Sequence, residues 1–275
     1  MRSWSFAKGH GTENDFVLLP DADARLDPSA ADVRAICDRR TGVGADGLLR
    51  VVRARHVEGW QGDGDLWFMD YRNGDGSLAE MCGNGLRVFA RYLLDEGLDS
   101  GPDLAIATRV GVLHAMALGD GRIRVSMGQV RVGHQDVTVT TADGSSFAAT
   151  PVDVGNPHAV SFAPDLDRLA LATAPRWQPA ELFPTGVNLE FVHRVEERHI
   201  AMRVYERGVG ETRSCGTGTV AAAAAASHHS HGDQAWPQTY RVDVPGGTVE
   251  VELTPAQAFL TGPAMIVAAG VLTLP

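Results

Sequence analysis

The sequence predicts an α+β protein built from two related halves, and three observations carry that prediction. The segment Met81-Cys82-Gly83-Asn84-Gly85-Leu86-Arg87 is answered 133 positions later by Ser214-Cys215-Gly216-Thr217-Gly218-Thr219-Val220. Two further pairs follow in the same order: residues 14–18 with 156–160 at a spacing of 142, and 125–128 with 259–262 at 134. One match could be chance, but three in register argue for an old duplication with a few insertions. Each half also combines short β-branched or aromatic runs, bounded by Gly, Asp and Asn, with one apolar helical run.

In chain order, the opening residues Met1-Arg2-Ser3-Trp4 lead directly into a strand. A short helix around 29–39 carries Cys37 on its Val33, Ile36 face, which reads as a structural cysteine. Strands are expected at 66–71, 104–108, 110–118 and 122–127, with a helix after Cys82 whose apolar face is Leu86, Phe89, Ala90, Leu93 and Leu94. The second half supplies strands at 187–195, 200–205, 240–244, 248–253 and 265–268. Its helix, 219–227, is rich in alanine and small all round, as a centrally buried helix would be. The boundary is expected at 128–133, before the polar stretch 138–146, and the final strand is expected to cross back. The domains are then 1–129 plus 265–275, and 130–264.

The chain has 275 residues, enough for a substantial core, and a formal charge of −10, which disfavours nucleic acid and anionic membrane as partners. Three cysteines without dense spacing, no signal-like leader and no membrane-length apolar run point to a soluble cytoplasmic protein with a small-molecule partner. Of the 24 basic residues only Lys8 is a lysine, so carbanion chemistry on an amino acid must use Lys8 or proceed without a pyridoxal Schiff base.

Each Cys-Gly-x-Gly turn opens a helix, where the dipole favours the thiolate and lowers a thiol pKa from about 8.5. Two such groups, one charged and one protonated, suit inversion of a hydrogen-bearing stereocentre, which needs a base on one face and an acid on the other. A pseudo-twofold protein would face them across its domain interface. The helix-start N–H groups would hold a carboxylate and the charge that develops on it.

These motifs, with residues 8–16, Gly155-Asn156-Pro157-His158, Gly186-Val187-Asn188, the block 206–219 and Thr261-Gly262-Pro263, resemble the diaminopimelate epimerases. The resemblance implies a cofactor-independent epimerase that converts LL-2,6-diaminopimelate to the meso isomer, toward lysine and peptidoglycan. It also implies two similar domains, each a mixed sheet or barrel wrapped around a central helix, an active site in the interdomain cleft, and a homodimer. Carried over, Cys82 and Cys215 are the acid/base pair, with Cys215 the acceptor and Cys82 the donor for the LL substrate. Gly83, Asn84, Gly216 and Thr217 bind the reacting carboxylate, and Asn14, Asn73, Asn156, Asn188, Glu206 and Arg207 hold the substrate's polar groups. His158 and Glu206 tune the thiols. Two positions depart from the family: Gly47 stands where many members carry glutamine, and the turn 11–14 reads as longer than usual.

Other readings are weaker. Gly42, Gly44 and Gly47 have dinucleotide-site spacing, but a helix precedes and a strand follows, the reverse of that fingerprint. A proline or hydroxyproline racemase of the same fold would carry histidine where Asn84 stands. A catalytically silent amino-acid-binding protein would not need both cysteines. His228, His229 and His231 are expected in a polar loop without fixed metal geometry, so no metal is expected.

Overall fold

The structure, a computed structural model, describes residues 1–232 and 236–274. Residues 233–235 of the expected second domain and Pro275 of the expected first lie outside the described residues. Contacts divide the chain into two units, Met1–Val125 with Gly262–Pro275, and Ser126–Thr261. No helix among the described residues is long and apolar enough to cross a membrane.

In the first unit β1 (Arg2–Gly11) and β2 (Asn14–Pro20) form a hairpin in which Gly11 pairs with Asn14. The turn between them is two residues, Thr12 and Glu13, at φ 50° and 62°. Positive φ at both central positions matches the twist of the flanking strands, although it strains a β-branched threonine. Helix α1 (Ala30–Cys37) starts at Ser29, which shares a reciprocal capping box with Asp32, and it buries Val33, Ile36 and Cys37. The unit continues with β3 (Gly47–Arg53), β4 (Trp67–Asn73), α2 (Gly83–Asp95), β5 (Asp103–Thr108), β6 (Gly111–Ala117) and β7 (Ile123–Gly128). From β1 to β7 the neighbours pair antiparallel, parallel, antiparallel, parallel, antiparallel and antiparallel. Helix α2 lies against β1 to β4 and β6, and it buries Leu86, Val88, Phe89, Ala90 and Leu93.

The second unit holds β8 (Arg131–Val132), β9 (Val137–Thr140), β10 (Ser146–Asp153), β11 (Pro157–Phe162), β12 (Arg176–Gln178), β13 (Asn188–Glu196) and β14 (His199–Glu206). It continues with β15 (Gly210–Thr212), α3 (Gly216–His231), β16 (Gln238–Val244), β17 (Gly247–Leu253) and β18 (Ala258–Gly262). The polar stretch 138–146 falls in a β9–β10 hairpin, in which Val137 and Val139 turn inward while Thr138 and Thr140 turn out. Along β10, β11, β13, β14, β16, β17 and β18 the pairing senses repeat those of β1 to β7. The final strand, β19 (Met265–Leu274), runs antiparallel along β1.

Helix α3 is buried from Gly216 through Ser227, with alanine at every position from 221 to 226. Alanine lets the sheet approach the helix backbone from all sides, so this helix has no polar face. The three histidines are not in a loop: His228, His229 and His231 form its last turn, because the helix runs on to a positive-φ cap at Gly232. His228 stacks edge-on against His134 and His229 packs on Phe162. No group of potential metal ligands occurs among the described residues.

Candidate active site

Both motif cysteines are helix N-caps with extended backbone. The Sγ atoms of Cys82 and Cys215 accept the N–H of Gly85 and Gly218, respectively, at 3.4 Å in each case. Sulfur thus takes the place usually held by a Ser or Asp oxygen, satisfying a first-turn amide that the helix itself leaves unpaired.

In the first unit the Cys82 thiol donates to Asn14 Oδ1 at 3.6 Å, and Asn84 Nδ2 donates to the same oxygen at 3.2 Å. Asn14 Nδ2 donates to Asp46 Oδ2 at 2.7 Å. Asp46 belongs to an ion cluster with Arg39, Asp15 and Lys8, which anchors the segment after α1 to β1 and β2. Burial alone would raise the Asp15 carboxyl, but hydrogen bonds and charge from Arg39 and Lys8 outweigh it and hold the group at about 2. Lys8 is committed to Asp15 and the Gly44 carbonyl. Asn73, at the end of β4, donates to Ser77 and has no hydrogen bond to Cys82, Asn14 or Asn84. A Cβ on Gly47 would lie 2.8 Å from the Arg72 carbonyl oxygen, so close strand approach, more than a lost contact, accounts for glycine there.

In the second unit Asn156 links two groups: Nδ2 donates to Thr217 Oγ1 at 3.3 Å, and Oδ1 faces His158 Nε2 at 2.9 Å. His158 Nδ1 lies 2.7 Å from Glu190 Oε1, both side chains wholly buried. The imidazole thus bridges the Asn156 amide and the Glu190 carboxylate through its two ring nitrogens. Asn188 Oδ1 accepts the Arg207 N–H at 3.0 Å while its Nδ2 donates to the Pro157 carbonyl at 3.3 Å, tying the Arg207 turn to β11. The Arg207 guanidinium donates to Thr185, and Glu206 accepts from Thr212.

The electrostatics of Cys215 correct the expectation from the helix dipole. Burial pushes this thiol well up, and the Glu206 and Glu190 carboxylates push the same way against the opposing Thr217 hydroxyl and Gly218 N–H. Desolvation and like charge outweigh a half-charge at a helix end. Cys37, packed in a hydrophobic cluster with Val33 and Ile36, is pushed up by burial to about 12 and is inert at neutral pH.

A sequence model of the family described as diaminopimelate epimerase matches residues 6–133 and 150–267. The chain belongs to the diaminopimelate epimerase family. It is 51% identical over 275 residues to the diaminopimelate epimerase of Corynebacterium glutamicum, covering 96% of each chain. With that of Streptomyces coelicolor it shares 52% over 274 residues, covering 97% of this chain and 94% of the other. Among solved structures, a PhzF-family phenazine biosynthesis protein of Bacillus anthracis superposes with a TM-score of 0.73 over 100% of both chains at 15% identity. A hydroxyproline epimerase of Agrobacterium vitis gives 0.70 at 14% identity, over 98% of this chain and 92% of that one. These two show the two-domain α+β fold and nothing finer.

Two buried polar residues beside the motif cysteines escaped the sequence reading. Glu190 sits mid-strand in an apolar run, where only tertiary pairing with His158 reveals it. Arg87 closes the first motif where the second has Val220, a difference visible in the sequence itself.

Proposed function

We propose that the chain interconverts the LL and meso isomers of 2,6-diaminopimelate, with Cys82 and Cys215 as the two proton-transfer groups at one α-carbon. The observation that carries this reading is the duplicated N-cap thiol, each sulfur at the start of a buried helix, in a chain about half identical to named diaminopimelate epimerases. One sulfur takes the α-proton while the other, as thiol, returns a proton to the opposite face. Its burial and carboxylate neighbours give Cys215 the donor's part in the free protein, the reverse of the role that the resemblance implied for the LL substrate. The N–H groups of Gly83, Asn84, Gly216 and Thr217 stabilise the carboxylate as it gains enediolate character. Asn14, Asn156, Asn188, Glu206 and Arg207 hold the remaining polar groups, and Asn73 joins them when substrate is bound. Two lobes, 1–129 with 265–275 and 130–264, deliver the two half-sites, and the protein works as a cytoplasmic homodimer.

The test is incubation with LL-diaminopimelate in deuterated water without added cofactor, following isotope incorporation and stereochemistry together. Cys82→Ala and Cys215→Ala are each expected to lower turnover by at least about 10²–10⁴-fold, the scale of one general acid or base. Wild-type rates in either variant end the assignment, and racemisation of L-proline at a comparable rate favours the sister activity.

A further inference from the structure

Beneath the two motif helices the duplicated strands carry unlike pairs of side chains. Register makes Phe16 of β2 equivalent to His158 of β11, and Leu49 of β3 equivalent to Glu190 of β13. All four are wholly buried. In the first unit the pair is apolar and stands at ordinary contact distance from the helix, since a Cβ on Gly85 would meet Phe16 at 3.4 Å and Leu49 at 3.5 Å. In the second unit it is an imidazole and a carboxylate, with His158 Nδ1 and Glu190 Oε1 2.7 Å apart.

Packing does not account for the polar pair. Two ionisable groups taken out of water lose more than their attraction returns unless every remaining polar atom is satisfied, and an apolar pair of similar volume is often as stable or more so. Glu190 misses that condition: its Oε2 is buried and has no hydrogen-bond partner among the described residues. The first unit closes the same place in an equivalent sheet with phenylalanine and leucine. A role outside stability is therefore needed, and a carboxylate with no exposed surface must exert it through a neighbour.

That neighbour begins a series of contacts ending at the second motif. His158 Nε2 lies 2.9 Å from one end of the Asn156 amide, the other end lies 3.3 Å from Thr217 Oγ1, and that hydroxyl lies 3.6 Å from Cys215 Sγ. Asn156 stands in the turn between β10 and β11, outside the ladder that ends at Asp153 and Pro157. Its half-buried amide therefore takes its orientation from side chains rather than from strand pairing. An imidazole can supply a fixed contact only when its own ring is held, and the group at the opposite ring nitrogen is Glu190. The series thus runs from a wholly buried carboxylate to an asparagine assigned to the substrate and to one motif sulfur.

We infer that Glu190 is a positioning residue for the epimerisation: it clamps the His158 ring, the ring holds the Asn156 amide against Thr217, and the Cys215 half-site is thereby set before substrate arrives. The inference rests on the proposed proton-transfer role of Cys215. Its test compares wild type with Glu190→Leu, His158→Phe and the two together, the combined variant copying the pair of the first unit. Turnover of LL-diaminopimelate, the urea midpoint and the His158 ring N–H resonance, assigned by its absence in His158→Phe, are followed in each. Glu190→Leu is expected to displace or abolish that resonance and to lower kcat/KM by about 10²-fold, the scale of an active group misplaced by an ångström. The combined variant should be at least as stable as wild type, because an apolar pair replaces a buried ionisable one. It should nevertheless turn over no faster and no slower than His158→Phe alone, because Glu190 then has nothing to act through. Glu190→Gln, the milder change should Glu190→Leu fail to fold, is expected to move the same resonance, to lower turnover, and to add no loss to His158→Phe. A combined variant that regains turnover along with stability overturns the inference and makes the pair structural. Additive losses also overturn it, assigning Glu190 a direct effect on the sulfur, and so does a ring resonance that neither change at Glu190 moves. Full turnover in Cys215→Ala would instead sink the proton-transfer reading and with it the catalytic purpose of the clamp, while the resonance would still report whether Glu190 holds the ring.

Discussion

Gly85 and Gly218 occupy the same place in the two motifs, three residues after the cysteine, yet their surroundings differ. A Cβ at Gly85 would meet Phe16 at 3.4 Å and Leu49 at 3.5 Å, ordinary contact distances, whereas at Gly218 it would lie 2.6 Å from Glu190 Oε1. Strand register makes these neighbours equivalent: Phe16 pairs with Gly47 as His158 pairs with Asn188, so Leu49 corresponds to Glu190. Gly85→Ala is therefore expected to leave stability within about 1 kcal/mol of wild type, helped by alanine's better helix propensity. Gly218→Ala must displace a carboxylate that His158 holds and should lower both urea midpoint and turnover. Equal effects from the two substitutions would refute this asymmetry. The paired motifs and their glycines were legible from spacing alone; which glycine is crowded was not, because the crowding residue lies in a strand 28 positions away.

At the scale of elements, the two central helices fill similar sheets in different ways. Helix α2 uses Leu86, Phe89 and Leu93, while α3 is alanine from 221 to 226 and lets strands close on its backbone. Ala223→Leu, at a wholly buried position, is expected to destabilise by about 1–3 kcal/mol through overpacking. Phe89→Ala should cost about 3–5 kcal/mol by leaving a cavity. Urea unfolding checks both, and a neutral Ala223→Leu would show that α3 has room to spare. Helix positions were legible because 3.6-residue periodicity and alanine runs are local properties. The β9–β10 hairpin was missed because threonines alternate with its valines, so the stretch reads as polar until one face is seen to be buried. The His228–His231 turn was misplaced because polarity signalled a loop where the alanine helix had enough momentum to continue.

At the scale of the whole molecule, acid stability depends on carboxylates held below their free values. Asp15 sits at about 2 when folded against about 3.9 unfolded. A depressed carboxylate contributes stability that is complete above its unfolded pKa and is lost as pH falls through the folded one. Between about pH 4 and 2, then, unfolding should become progressively easier, and Asp15→Asn should flatten that part of the curve. Thermal melting across this range checks the sign; an unchanged slope in Asp15→Asn would mean that the cluster with Lys8 and Arg39 contributes nothing to it.

The sequence by itself determined the duplication, the α+β class, the two helix-start cysteines and the family, because these lie in short contiguous motifs and in their order along the chain. Only the tertiary structure decided how the copies diverge. Arg87 stands in the first motif itself, but its complete burial, like the buried His158–Glu190 pair beside the second motif, is made by residues distant in sequence. Burial sets the charge of a thiol, and burial belongs to the packed chain.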